Sequence, residues 1–327
     1  MSLKSKAALA ALLTATLGTP ALAVEGGAGA YLLGSREGFA GIVPGPGTYV
    51  GIDVVYAEGE VEGLSLGGLP VRAKSDLNVT FAKLSITQVL ETQLWGGSLA
   101  FNINVPFVMD AGLTFTGITP PINGIPIEDS TSGIGDITLT SLLGWHSGNL
   151  HYSAGLSVFA PTGSYNTASV DVPNRTISAL NTGKNIWSFQ PVVAVTHFDT
   201  TSGLEFSGAA SVLFSTRNHD TDYQNAPALN LEAAVMQHTK SGWAFGLAGY
   251  AYSQLGDDTG SGADATRKLL EVDSLRAEVY GAGPVVSFSG MTIFGADATL
   301  KLKYFTEFGA KNRFETDTLW TNIAFTF

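Results

Sequence analysis

Hydrophobic and polar residues alternate with a period of two along most of this chain. Leu204, Phe206, Gly208, Ala210, Val212 and Phe214 alternate with Glu205, Ser207, Ala209, Ser211 and Ser215. Leu99, Phe101, Ile103, Val105 and Phe107 alternate with Ala100, Asn102, Asn104 and Pro106, and Ile137, Leu139, Ser141, Leu143 and Trp145 with Asp136, Thr138, Thr140 and His146. Near the end, Ala296, Ala298, Leu300, Leu302 and Tyr304 oppose Asp297, Thr299, Lys301, Lys303 and Glu307. Successive side chains of a strand point to opposite faces, so each segment has one apolar face and one small or polar face. Segments of about ten such residues, separated by turns, are the signature of strands that cross a membrane in a closed barrel.

The pattern predicts twelve strands, near 48–61, 76–94, 98–108, 135–146, 150–161, 185–198, 203–216, 228–239, 242–255, 275–288, 291–308 and 315–327. Connections after the even strands are tight, such as Trp95-Gly-Gly97 and Ser147-Gly-Asn149. Those after the odd strands are mostly long: 62–75, 109–134, 162–184, 217–227 and 256–274, with 309–314 the shortest. Short turns at one end and long loops at the other are the periplasmic and extracellular ends of an outer-membrane barrel. The fold expected is therefore all-β, a transmembrane antiparallel up-and-down β-barrel of about twelve strands over residues 48–327. An even count puts both termini at the periplasmic side. The last strand, ending on Phe327, should pair with the first near Tyr49 to Tyr56, and should present the terminal aromatic to the barrel-assembly machinery. Residues 263–275 suit a short amphipathic helix or an extended strand top equally.

The start of the chain agrees with this address. Lys4 and Lys6, the apolar run Ala7 to Leu17 and Ala21-Leu22-Ala23 form a cleavable export signal over residues 1–23. Residues 24–47 are too rich in Gly and Pro for a long helix or a robust strand. They are an ordered leader before the first strand, or a plug folded back into the lumen. Only 14% of the 327 residues are charged, against roughly 25% in ordinary globular domains. The longest apolar runs fall well short of the ~18 residues a spanning helix needs, so any membrane crossing is by strands. A net charge of −11 argues against nucleic acid and anionic head groups as main partners. The absence of Cys removes disulfides and thiolate metal sites.

Candidate chemistry is sparse. Gly63-Leu-Ser-Leu-Gly67 matches G-x-S-x-G but lacks the strand–elbow–helix context that exposes a nucleophile at Ser65. His146, His151, His197, His219 and His238 are scattered, with no spacing suited to a metal. No glycine-rich nucleotide motif is present, so no catalytic residue, metal or cofactor is expected. The inward faces remain. A charge facing lipid costs roughly 2–4 kcal/mol at the midplane, so Asp136, Glu205, Glu232, Asp297, Lys301, Lys303 and Glu307 should line the lumen. Pro106, Pro191 and Pro284 each remove a ladder donor and should mark local defects in the wall.

Several blocks spread in order along the mature chain resemble one outer-membrane family. They are Pro46-Gly-Thr-Tyr49, Gly133-Ile-Gly-Asp-Ile137 with Leu143-Gly-Trp145, Ala160-Pro-Thr-Gly-Ser-Tyr165, Gly183-Lys-Asn-Ile-Trp187, Gln254-Leu-Gly-Asp-Asp258 and Gly283-Pro284. The family is labelled meta-pathway of phenol degradation and is distantly similar to long-chain fatty-acid channels. The resemblance implies a barrel admitting hydrophobic or aromatic compounds. It transfers no defined site residues, and its label does not imply phenol chemistry here. The expected function is passive uptake of small hydrophobic or aromatic compounds across the outer membrane of a Gram-negative bacterium, in contact with outer-membrane lipid. The alternatives are an outer-membrane enzyme acting on lipids, and a surface-binding structural barrel.

Overall fold

The computed structural model describes residues 25, 27, 29–117, 126–171 and 176–327; the signal at 1–23 and Val24 lie outside the described residues. Period-two segments joined by tight turns pair with their sequence neighbours, and that is how this chain folds. Among the described residues the strands are β1 (Gly47–Leu66), β2 (Leu69–Leu94), β3 (Gly97–Gly117), β4 (Pro126–Ile134), β5 (Ile137–Ser147), β6 (Leu150–Ala160), β7 (Ser169–Asp171), β8 (Thr176–Ser178), β9 (Ser188–Asp199), β10 (Leu204–Ser215), β11 (Ala228–His238), β12 (Trp243–Gln254), β13 (Glu278–Ile293), β14 (Ala296–Lys311) and β15 (Glu315–Thr326), with a helix, α1 (Ser261–Leu270). β7 and β8 form a separate hairpin within the 162–184 connection.

The remaining strands close into one antiparallel barrel. β4 and β5 share one wall position, broken at Gly135 and Asp136, because β4 pairs with the second half of β3 and β5 with the first. Counting that pair once gives twelve positions. Closure is by β15 on β1, in register from Tyr49 opposite Thr326 to Glu60 opposite Glu315. The amide of Phe327 donates to the carbonyl of Thr48 at 2.9 Å, so the terminal residue completes the seam as expected.

Burial follows the alternation. Along β9, Ser188, Gln190, Val192, Ala194 and Thr196 are buried while Phe189, Pro191, Val193 and Val195 are exposed. Ile52, Leu84, Phe101, Leu139, Phe206 and Leu247 extend the exposed apolar surface around the wall. A continuous belt of this size is foreign to a soluble monomer and matches a hydrocarbon layer. Aromatic clusters mark its edge at the short-turn end: Trp145 stacks on Tyr152 with ring centroids 5.5 Å apart, and Trp243 lies 5.8 Å from Phe245 and 4.8 Å from Phe288.

At the loop end the strands run further than expected. The predicted loop 62–75 is instead a continuation of β1 and β2, which turn at Gly67 and Gly68. Both have positive φ, 48° and 78°, the combination a two-residue primed hairpin turn demands and glycine supplies without strain. Within 109–134, β3 continues to Gly117 and β4 starts at Pro126. The small residues there read as loop, but pairing with a neighbouring strand overrides weak propensity. A Cβ on Gly67 would lie 2.7 Å from Ala168, and one on Gly68 the same distance from Thr221. The β1–β2 tip therefore touches connections that come from other parts of the wall, and the hairpin leans across the mouth.

Residues 261–270 take the helical alternative. Asp222, from the preceding connection, accepts hydrogen bonds from the Ser261 amide at 2.9 Å and its hydroxyl at 2.7 Å, so it satisfies an orphan amide of the first turn. Those bonds and Arg217 hold its carboxyl at about 2. α1 packs against β2 and β1.

Candidate functional site: the lumen and the segment inside it

The inward face of the wall is lined by small and polar residues, and the residues before β1 lie against it. Residues 29–46 form only turns and bends. A chain without ladder hydrogen bonds must find partners for its backbone elsewhere, and here the wall supplies them.

Glu232 on β11 accepts three hydrogen bonds from this segment. Tyr31 Oη donates at 2.6 Å, the Gly34 amide at 3.2 Å and the Arg36 amide at 2.6 Å. Glu205 on β10 accepts from the Phe39 amide and from Ser207 Oγ, both at 2.6 Å, and its second oxygen lies 2.6 Å from His238 Nε2. The Phe39 ring stands 5.3 Å from Phe198 and 4.8 Å from His238. Thr196 Oγ1 accepts from the Gly41 amide at 3.0 Å, and the carbonyl of Val43 lies 3.1 Å from His146 Nε2.

The segment's own charges turn outward to the wall. Arg36 Nη2 donates to Ser157 Oγ at 2.8 Å. Glu37 receives Lys301 Nζ and Lys303 Nζ, each at 3.1 Å, and Lys303 also donates to the Gly34 carbonyl at 2.6 Å. The Lys303 ammonium sits 3.9 Å from the centre of the Trp320 ring, a cation–π contact. At the other end, Glu25 accepts from Asn218 Nδ2 at 2.9 Å and Tyr165 Oη at 3.2 Å, residues of the loop-end connections.

Two glycines make the close approach possible. A Cβ on Gly41 would fall 2.6 Å from the His151 carbonyl and the Thr196 amide, so its backbone rests directly on that of β6 and β9. Gly34 has φ of +78°, and a Cβ there would meet the Phe305 ring at 2.8 Å.

Of the seven residues read from sequence as lumen-lining, Glu205, Glu232, Lys301 and Lys303 meet this segment. Glu307 is buried but serves the wall and its nearest turn, accepting from Tyr250 Oη at 3.1 Å, Arg313 Nη2 at 3.4 Å and Thr316 N at 2.8 Å. Asp136 sits at the β4–β5 break and accepts from the Gly163 amide at 2.9 Å and the Lys184 amide at 2.8 Å, tying together the ends of the 162–184 connection. Asp297 shares the face of Lys301 but lies near the end of β14 and is exposed. Arg36 and Glu37 make the wall contacts that the sequence reading did not name. They are the only charges between Glu25 and Gly47, an Arg-Glu pair inside a Gly-rich stretch, and that signal was readable.

Ser65 is buried within β1, with no elbow around it. Two of the histidines do meet: His146 and His151, opposite each other on β5 and β6, have Nδ1 atoms 2.6 Å apart. No group of three or more His, Asp or Glu placed to hold a metal occurs among the described residues. The prolines mark ladder defects as expected. Pairing of β13 with β14 skips from Ala282 to Val285, around Pro284, and pairing of β9 with β10 skips from Phe189 to Val192, around Pro191. Pro106 lies on β3 opposite Lys83 and accepts from the Gly135 amide at 2.9 Å, where the wall divides into β4 and β5.

The fold recurs among solved structures. An outer membrane channel of Pseudomonas putida F1 is 17% identical, with 91% of this chain and 100% of that one aligned at a TM-score of 0.65. The translocator domain of autotransporter NalP from Neisseria meningitidis aligns at 12% identity over 87% of this chain and 90% of that one, with a TM-score of 0.43. A Pseudomonas aeruginosa FadL homologue aligns at 8% over 86% and 90%, with a TM-score of 0.41. Among curated protein sequences, none matches this chain. The family described as "Putative MetA-pathway of phenol degradation" matches residues 59–323, which span the wall from β1 to β15. With that much of the barrel matched, the chain belongs to this family.

Proposed function

We propose that the protein is a channel, not an enzyme, in the outer membrane of a Gram-negative bacterium, passing small hydrophobic or aromatic compounds inward by passive diffusion. Residues 24–47 act as its plug. One observation carries the reading: the buried carboxylate of Glu232 accepts from Tyr31, Gly34 and Arg36 of the N-terminal segment. A wall built only for stability would pair its own charges, because a half-satisfied buried polar group is costly. Here Glu232 is satisfied instead by a segment that is not part of the wall. The similarity to the Pseudomonas putida channel supports the architecture.

Uptake of an aromatic or alkane substrate by cells carrying the protein, compared with a strain lacking the gene, tests the reading. Faster uptake is expected with the protein; equal rates would end the proposal. Outside the wall the partner is outer-membrane lipid, and during assembly it is the barrel-assembly machinery, engaged by β15 and Phe327. Phe327 is 70% exposed, so its side chain contributes little to the finished wall. Deleting it should lower outer-membrane abundance far more than export; normal abundance of the truncated chain would count against a role in assembly.

A further inference from the structure

A cavity of about 280 Å³ lies beside the N-terminal segment, between β1, β2, β14 and β15. Its charged lining consists of Lys83, Lys301 and Lys303 against Glu37 and Asp53. That is an excess of one positive charge, in a chain whose net charge is −11.

The carboxylates are occupied. Asp53 takes Lys83 Nζ at 3.2 Å on one oxygen and Asn322 Nδ2 at 3.0 Å on the other, and Glu37 takes Lys301 and Lys303 on separate oxygens. The ammonium groups are not used up, since each has three donors. Lys83 and Lys301 keep 20% and 29% of their side-chain surface open, against 10% for Asp53 and 3% for Glu37. What the cavity offers an incoming molecule is therefore ammonium, within walls that focus its field. Tyr49, only partly buried, adds an aromatic surface to the same lining, while the Trp320 ring is buried beneath the Lys303 ammonium. The volume falls just below the roughly 300–1,000 Å³ of sites for drug-sized ligands, which suits one ring and not a long chain.

We propose that this cavity binds a small organic carboxylate bearing a single aromatic ring, with the carboxylate received by Lys83 and Lys301 and the ring lying toward Tyr49. Glu37 already shows that Lys301 accepts a carboxylate, and it is carried by the segment that fills the lumen. A bound acid shares Lys301 with Glu37, so occupancy of the cavity weakens one latch of that segment. This deepens the channel reading by naming a substrate class, and it rests on that reading only for the link to transport.

Calorimetric titration of the full mature protein in nanodiscs with benzoate, benzyl alcohol and acetate tests the site. Benzoate should bind, and benzyl alcohol and acetate should bind at least about tenfold more weakly. Lys83→Met should weaken benzoate about tenfold, the loss of one charge-assisted hydrogen bond, and Lys83→Arg should restore most of it. Heat-modifiable migration in gels identifies folded variants, and Lys301→Met is the second probe should Lys83→Met fail to fold. No saturable benzoate binding, equal binding of benzyl alcohol or acetate, or unchanged affinity in a folded lysine variant would overturn the proposal. Lack of binding with uptake intact removes the site alone; binding with uptake no faster than in the deletion strain removes the channel reading and leaves the site.

Discussion

Glu232→Ala should release the N-terminal segment while leaving the wall intact. The carboxylate accepts from Tyr31, Gly34 and Arg36, and two of those donors are backbone amides of a stretch that forms no strand or helix. A hydrogen bond to a charged group contributes about 1.5–3 kcal/mol. Three sharing one acceptor do not add, and breaking a buried charged contact typically costs about 3–5 kcal/mol in total. That raises the undocked population by roughly two to four orders of magnitude. Single-channel recording in planar bilayers should show frequent open events where the parent protein is mostly closed, with unchanged heat-modifiable migration. Asp297→Asn, on the same inward parity but exposed near a strand end, should behave like the parent. Recordings of Glu232→Ala that match the parent would mean this segment does not control the lumen.

How much of this was legible in sequence differs between wall and lumen. The wall was legible because the period of two is a direct consequence of strand geometry, and lipid on one side leaves little ambiguity about which face is apolar. The seam of β15 on β1 followed from strand count alone, and it forms where the termini required. The extensions of β1 and β2 were missed because they hold Gly-Leu-Ser-Leu-Gly-Gly-Leu-Pro, whose local preferences are those of a loop. Mutual pairing and contact with neighbouring connections hold those residues in a ladder, and neither is visible in a window of sequence.

The lumen was half legible. Parity placed Glu205, Glu232, Lys301 and Lys303 inside, but parity says nothing about partners. The partners of Glu232 lie 196 to 201 residues away in a stretch with no periodicity at all. Asp136 and Glu307 show the limit from the other side: the same parity includes residues that fasten a connection or brace a turn. Arg36 and Glu37 stand apart because a charge in a Gly-rich stretch of an exported barrel has few places to go, and a lumen of opposite charges is one of them.

Adjacent residues on β14 give the sharpest separation of wall from lumen. Leu302 is 44% exposed, stands opposite Val286 and Thr321, and lies in the apolar belt between Leu300 and Tyr304. Leu302→Arg should destabilise the barrel by about 2–4 kcal/mol, the cost of a cation facing lipid near the midplane. A lower urea midpoint in liposomes would report it, and the segment's docking should be unaffected because no contact to it changes. Lys303, one residue on, is only 5% exposed and donates to Gly34 and Glu37. Lys303→Met should leave the lipid face as it was and loosen the segment, so the open-event frequency rises while the urea midpoint moves much less. Two substitutions one position apart would then move two different observables, as the period of two requires. A Leu302→Arg barrel as stable as the parent, or a Lys303→Met barrel destabilised as strongly as Leu302→Arg, would show that the assignment of faces along β14 is wrong.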